Sequence, residues 1–207
     1  DPADIGRAYE PIIRINSQSG KGGAAFVMQT AFGYQLPRAM QPEFGAAVKA
    51  ACDRTGRELL PREVFDLFQS EYRRWDAPCR LLSCRFIHSA GRGGAARVTF
   101  RGAVRTPGRE LRISGSGNGP IDAFFRALRQ AGLDGYSFVS YSEQAVSAGS
   151  DSRAVAYVHL RASGGEDLFG VGEDDDISMA SIRAVLSAVN RHLEPRGRIC
   201  GGPADSE

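Results

Sequence analysis

The chain has 207 residues, of which 42% are hydrophobic and 24% charged, and its net charge at neutral pH is +2. This composition is typical of an ordinary globular protein with one large or two modest domains, and it excludes a predominantly disordered chain. Basic and acidic residues are interspersed along the sequence, so we expect no nucleic-acid partner. No apolar run approaches the roughly 18 residues of a membrane span, so we expect no membrane partner either.

The cysteines and histidines are dispersed, which argues against a metal site and against a nucleophile-base pair. No cysteine pair has the CxxC spacing of a zinc or redox site, and no HxH pair exists. The residues are Cys52, Cys79, Cys84, Cys200, His88, His159 and His192. Reduced thiols of this kind predict a cytoplasmic protein without a resident metal. The chain begins with Asp1 rather than Met, and we expect it to be a piece of a longer protein.

The first part of the sequence predicts a small, mainly helical unit over residues 1–77. Residues 10–36 begin with a run of alternating apolar and polar side chains and then pass through a glycine-rich loop into an apolar stretch. This pattern predicts a strand, a tight loop, and a strand or short helix. From Pro37 to Gly56, apolar residues recur three or four positions apart, which predicts a helix. A second apolar stripe begins near Pro61 and predicts another helix, which ends before Trp75. Such a unit buries little apolar surface by itself, so we expect it to pack against another surface.

Residues 78–194 contain an internal repeat of three strands and one helix. The runs 79–90, 96–104 and 109–115 alternate as strands do, and a helical stripe follows from Ile121 to Leu128. The same order recurs in 136–146, 153–161 and 167–171, followed by an expected turn at 170–172 and a helix around Ile182. The predicted fold class is therefore α+β, with two βββα units about a pseudo-twofold axis and both helices packed inward or against a partner chain. Homodimer formation follows from this arrangement, and residues 195–207 read as a flexible tail.

Three short motifs are candidates for binding sites. Residues 19–23 lack the glycine and hydroxyl spacing of a phosphate-binding P-loop, so they predict either a plain turn or a contact with an anionic group. The sequence GSGNGP at 115–120 ends a strand and opens a helix, where free amides favour a carboxylate and Ile121 offers an apolar neighbour. That combination suits an aliphatic amino acid, although a helix entry that binds nothing remains an alternative. The acidic run 173–176 predicts a helix cap rather than a cation site.

Four blocks in the correct order, 4–28, 115–128, 141–158 and 170–191, resemble the C-terminal part of the 2-isopropylmalate synthase family. The resemblance implies that a linker subdomain and a leucine-binding regulatory domain follow a catalytic (β/α)8 barrel. In the family, the barrel condenses acetyl-CoA with 2-oxoisovalerate and holds the divalent metal and the catalytic base. This segment is therefore expected to contain no catalytic residue, to bind no cofactor, and to be inactive without its own catalytic barrel.

The resemblance also implies two sets of site residues. One set would reach over the barrel of the other protomer, and the family often has Tyr where this chain has Phe26, which leaves packing as the expected role of that ring. This set comprises Asn16, Ser17, Gln18, Ser19, Lys21 and Phe26. The other set would surround L-leucine as an allosteric inhibitor. It comprises Gly117, Asn118, Gly119, Ile121, Phe138, Tyr141, Ala145 and Ser152.

Two alternatives stay open at this point. Citramalate synthases carry a similar regulatory domain that responds to isoleucine, and a shifted methyl group is only modestly discriminating. A stand-alone amino-acid-binding dimerisation module is the other alternative, although it would have no need of the linker-like residues 1–77.

Overall fold

The computed structural model describes residues 22–90, 96–148 and 151–194. Its first part is a unit of three helices that precedes two three-stranded sheets. The helices are α1 (Gly23–Phe32), α2 (Gln41–Thr55) and α3 (Pro61–Tyr72). The predicted strand at 10–15 lies outside the described residues. The chain then passes into the first sheet through residues 73–79, and the proposed domain limits at 77 and 194 stay predictions.

The helix ends follow from local chemistry that the sequence already indicated. Helix α2 ends at Gly56, whose φ of 66° is left-handed and whose amide donates to the Cys52 carbonyl oxygen at 2.9 Å. Helix α3 opens with Pro61 at its first position, where a missing N–H costs nothing. The Glu63 carboxylate accepts from the Leu60 amide at 2.9 Å and closes this helix start. Both predicted helices are confirmed, and the stretch from Ala24 onward is a helix rather than a strand.

Two βββα units follow, each with an antiparallel sheet in which the strands lie in sequence order. The first unit contains β1 (Arg80–Ala90), β2 (Ala96–Thr106), β3 (Arg109–Gly117) and α4 (Pro120–Leu128). The second contains β4 (Tyr136–Ala148), β5 (Asp151–Ala162), β6 (Asp167–Asp174) and α5 (Ile177–Leu193). The predicted α+β class and the predicted order of elements are confirmed.

A glycine in the last strand of each unit lets the helix of that unit pack closely. A Cβ atom at Gly115 would lie 2.6 Å from the Ala127 amide nitrogen, and one at Gly170 would lie 2.5 Å from the Ala188 amide nitrogen. Only glycine permits these approaches, because real Cβ atoms do not come so near to backbone atoms. The expectation of a turn at 170–172 is wrong, since these residues lie inside β6, where they carry α5.

Helices α4 and α5 lie between the two sheets and share one hydrophobic core with both. Helix α4 contacts the first sheet through Phe124, whose ring centroid lies 5.0 Å from that of Phe100. It contacts the second sheet through Phe125, whose centroid lies 5.8 Å from that of Phe138. Helix α5 packs on β5 and β6, and its Met179 sulfur lies 3.4 Å from the Cys84 sulfur of β1. The helices therefore pack inward, as the repeat predicted.

The three-helix unit covers the outer face of the second sheet. Its apolar side chains form a second core together with four side chains of that face, which are Val155, Tyr157, Phe169 and Val171. Polar contacts fix the same junction, because the Gln144 side chain accepts from the Gln35 amide at 2.9 Å and donates to the Gly33 carbonyl oxygen at 3.0 Å. The three-helix unit thus packs against another surface, the second sheet, as expected. In the described part of the chain, no helix is long and apolar enough to cross a membrane.

Candidate ligand-binding site

The first group of candidate residues lies where β3 meets α4. The Asn118 amide donates to the Asp122 carboxylate at 3.1 Å, and the other oxygen of that carboxylate accepts from Arg126 at 2.8 Å. These contacts, first of all the one with Arg126, hold the pKa of Asp122 below its usual range. The chain therefore supplies its own carboxylate to the Asn118 amide. A ligand carboxylate would have to use other amides of this helix start.

Gly119 and Ile121 are the members of this group that keep open backbone positions. Gly119 is the N-cap residue with an extended φ of −161°, and a Cβ atom there would meet nothing within 4 Å. The Ile121 amide lies in the first turn of α4, where no intrahelical acceptor exists. Gly117 differs, because a Cβ atom there would lie 2.7 Å from the Ala123 amide nitrogen. Its role in the fold is close packing of strand against helix.

The second group lies on the face of the second sheet that is turned toward α5. Ala145 pairs with Ala154, and Ser152 lies two positions from Ala154 on the same face. The hairpin that carries them projects beyond β6, whose last pair is Asp174 with Ala154. Ala145 and Ser152 are both exposed. This overhanging hairpin leaves an open surface beside the start of α5.

Tyr141 is the anchored residue of the second group. Its hydroxyl donates to the Glu143 carboxylate at 2.5 Å and lies 2.9 Å from the Ser181 hydroxyl of α5. Burial, and then Glu143, raise the pKa of Tyr141 to about 12, so the phenol stays protonated at every physiological pH. The ring is thereby fixed against the first turns of α5.

The eight candidates do not form one cluster within the described chain. Phe138 contacts Phe125 of α4, whereas Ala145 lies about 20 Å further along a strand that rises roughly 3.3 Å per residue. A single amino acid cannot bridge that distance. Among the described contacts, none joins the group at the start of α4 to the group formed by Tyr141, Ala145 and Ser152. The candidate residues of one protomer therefore form two separate groups, which we call candidate half-sites.

Sequence reasoning missed three polar residues of this region: Asp122, Glu143 and Ser181. The alternation along β4 could have found Glu143, because it lies between Tyr141 and Ala145 on the same face. The third helical position of Asp122, which suits a carboxylate at a helix start, could have indicated its contact with the Asn118 amide. No sequence pattern links Ser181 to Tyr141, because that contact depends on the packing of α5.

The residues expected to reach another protomer are mostly outside the described part of the chain. Asn16, Ser17, Gln18, Ser19 and Lys21 belong to that undescribed segment. Phe26 is described and lies on α1 with 56% of its surface exposed. The ring lines a shallow concavity of about 290 Å³ together with Gln29, Gln35 and Gln41. More than half of the Phe26 side chain is thus open to another surface, and its expected packing role stays a prediction.

The acidic run 173–176 caps α5, as predicted, but one of its members has a different role. The Asp176 carboxylate accepts from the Met179 amide at 3.0 Å. Glu173 is only 4% exposed and forms an ion pair with Arg73, while the Tyr34 hydroxyl donates to it at 2.9 Å. Its carboxylate thus joins the second sheet to the three-helix unit. Among the described residues, no three His, Cys, Asp or Glu side chains gather in a metal-binding arrangement.

The fold defines a class of α+β domain in which two βββα units enclose their helices between two sheets. A family model described as the LeuA allosteric (dimerisation) domain matches residues 58–193, which include both units. The chain belongs to this family. A second model, described as alpha-isopropylmalate synthase, post-catalytic domain-like, matches residues 1–29.

Curated relatives extend the comparison over nearly the whole chain. The 2-isopropylmalate synthase of Clostridium acetobutylicum is 45% identical over 193 residues, which cover 92% of this chain and 34% of the relative. The enzyme of that name from Mycobacterium ulcerans is 43% identical over 194 residues, with coverages of 92% and 34%. The one from Parvibaculum lavamentivorans is 40% identical over 208 residues, with coverages of 98% and 35%. The resemblance found in the sequence is confirmed, and the chain spans about a third of the length of these relatives.

Proposed function

We propose that this chain is the leucine-responsive regulatory part of a cytoplasmic 2-isopropylmalate synthase. That enzyme joins acetyl-CoA to 2-oxoisovalerate in the first committed step of leucine biosynthesis. The observation that carries the proposal is the match of the LeuA allosteric domain model over both βββα units. The metal-dependent condensation belongs to a catalytic barrel outside this sequence. The chain is inactive alone and acts by regulating that barrel.

The two half-sites supply the kinds of groups that an aliphatic amino acid needs. The amides of Gly119 and Ile121 donate to the ligand carboxylate, since Asp122 already occupies the Asn118 amide. The ammonium group pairs with a carboxylate, and Glu143 presents one on the face of Tyr141 and Ala145. The side chains of Ile121 and of the two aromatic candidates, Phe138 and Tyr141, enclose the isobutyl group.

A second copy of the chain brings the two half-sites together. Strands β1 and β4 are edge strands, which readily accept a neighbour. Large apolar side chains are exposed on them and at the start of α5. These are Leu82, Ile87, Phe138, Val139 and Ile177. In a homodimer that covers these residues, the α4 start of one protomer meets the overhanging hairpin of its partner, and the ligand binds between them.

The junction at Glu173 carries the effect of the ligand toward the three-helix unit. Tyr141 contacts Ser181 in α5, and the same helix begins just after the strand that holds Glu173. Glu173 in turn binds Arg73 and Tyr34 of the preceding segment. A ligand that moves the first turns of α5 therefore changes the position of the unit that leads to the barrel.

Isothermal titration calorimetry of the 207-residue chain tests the proposal. We expect L-leucine to bind, with weaker binding of isoleucine and valine. The variant Gly119→Ala should fold, because its Cβ atom meets nothing within 4 Å, yet its methyl group would stand where the ligand carboxylate approaches. We expect this variant to lose at least about tenfold in affinity for leucine, which is about 1.4 kcal/mol.

Gly164→Ala is the matched control, since a Cβ atom at Gly164 also meets nothing within 4 Å and lies outside both half-sites. We expect its affinity for leucine to be unchanged. Absence of heat with every branched-chain amino acid would refute an amino-acid-sensing role. Tighter binding of isoleucine than of leucine would instead assign the chain to the citramalate synthase type.

A further inference from the structure

Three arginines, one on each strand, lie close together near the middle of the outer face of the first sheet. Arg85 of β1 lies directly opposite Arg101 of β2. Arg112 of β3 pairs with Ala103, two positions from Arg101, and is therefore its diagonal neighbour on the same face. Like charges directly opposite each other in a sheet are destabilising. This arrangement therefore costs stability unless an anion compensates it.

No anion of the described chain compensates these three guanidinium groups. Among residues 22–90, 96–148 and 151–194, none of the three makes an ion pair or a side-chain hydrogen bond. Arg105, on the same strand as Arg101, shows the contrast, because it forms an ion pair with Glu110 at 2.5 Å. The three unpaired guanidinium groups thus lie together near the middle of the sheet face.

The three arginines surround an open concavity of about 620 Å³. Ser83, Ser114 and Gln130 also line it and add hydrogen-bond donors. The Gln130 side-chain oxygen accepts from the Ser114 amide at 3.1 Å, which directs its remaining polar group, the NH2, to other acceptors. The lining contains neither a carboxylate nor an aromatic ring. Its polar side chains are therefore suited to an acceptor-rich, negatively charged group.

We propose that this concavity, which we call the arginine basin, binds a small molecule that carries several phosphate or carboxylate groups. Guanidinium forks match both groups in bidentate geometry, and the volume falls within the range of ordinary small-molecule sites. Because no aromatic ring is present to stack on a base, the ligand is recognised through its charged groups. The arginine basin is on the opposite side of the sheet from α4, so it is distinct from the half-sites of the amino acid.

Titration calorimetry of the 207-residue chain with sodium tripolyphosphate tests the arginine basin, and citrate provides the carboxylate arm. We expect at least one of the two to bind, with an affinity that falls as salt is added. Arg101→Gln and Arg112→Gln should each weaken binding by about tenfold or more. Arg38→Gln, which removes the same charge from an exposed residue of the three-helix unit, should change the affinity less than twofold.

Stronger binding of tripolyphosphate would assign a phosphate ligand, and stronger binding of citrate a polycarboxylate. No binding of either anion would overturn the proposal. So would equal weakening by Arg38→Gln and Arg101→Gln, because that result means attraction to the overall charge. Thermal unfolding without any anion separates binding from folding: we expect Arg101→Gln to melt no lower than the parent chain. A large decrease in its melting temperature would show that Arg101 serves the fold and would contradict the proposal.

Discussion

The outer faces of the two sheets have opposite surroundings although the sheets have the same strand order. Gly115 pairs with Phe100 in the first sheet, and Gly170 pairs with Val158 in the second, which aligns the two units. At four equivalent outer positions the side chain is then polar in the first sheet and apolar in the second. The pairs are Arg97 with Val155, Thr99 with Tyr157, Ser114 with Phe169, and Ser116 with Val171.

This difference shows that the βββα repeat determines the architecture, whereas the outward-facing side chains determine what each sheet contacts. The second sheet buries its outer face under three helices, and the first sheet leaves a charged face open. Alternation along a strand allows one face to change while the other keeps the core. The comparison predicts that truncation to alanine has different effects on stability at equivalent positions of the two sheets.

The largest expected difference is between Phe169→Ala and Ser114→Ala. Phe169 is 6% exposed and stacks on His159 with ring centroids 4.4 Å apart, so truncation removes buried apolar area and leaves a cavity. We expect a loss of about 4 kcal/mol in the free energy of unfolding in urea. Ser114→Ala should change it by less than about 0.5 kcal/mol. Equal effects at the two positions would contradict the assigned difference between the faces.

The next largest expected difference in stability is between a buried ion pair at the second sheet and an exposed ion pair on the first. Arg73→Gln leaves the Glu173 carboxylate buried with only the Tyr34 hydroxyl as a donor, and we expect it to cost about 2–3 kcal/mol. The exposed pair of the first sheet supplies the control, since Arg105→Gln should cost less than about 0.5 kcal/mol. A double-mutant cycle of Arg73→Gln with Glu173→Gln, followed by urea unfolding, measures the coupling. A coupling energy near zero would show that this junction is not held by the ion pair.

The smallest expected effect is a gain in stability rather than a loss. Arg101→Gln removes one of two directly opposed like charges on the first sheet, and we expect it to stabilise the anion-free protein by about 0.5 kcal/mol. The gain should shrink when unfolding is measured in high salt, because added ions screen the repulsion. A loss of stability at low salt would mean that Arg101 makes a favourable contact in the folded protein.

Much of the fold could be predicted from periodicity and glycine positions alone. The stripe from Met40 to Ala51 and the stop at Gly56 predicted α2 with an error of about four residues at its start, and the recurring order of three strands and a helix predicted both units. These features are local, so each can be recognised from the spacing of a few residues. The turn expected at 170–172 failed because a close approach of helix to strand also requires glycine.

The candidate site could be predicted less well, because its geometry depends on contacts between distant elements. Gly117 packs against α4 and the Asn118 amide is bound by Asp122, two contacts that the sequence did not indicate. That both residues face a ligand stays a prediction. Glu173 read as part of a helix cap, but packing against Arg73 buries it in the junction. Neither outcome can be read from residue types, since each depends on which face another element covers.

Sedimentation velocity of the 207-residue chain over a range of concentrations, with and without L-leucine, tests the central claim most directly. If one protomer supplies the start of α4 and its partner the hairpin with Tyr141, leucine binds only across the dimer. Linkage then requires leucine to shift the monomer-dimer equilibrium toward the dimer, with midpoint concentrations at least about tenfold lower at saturating leucine. A dimerisation constant unchanged by leucine, in a chain that calorimetry shows to bind leucine, would contradict a site shared between protomers.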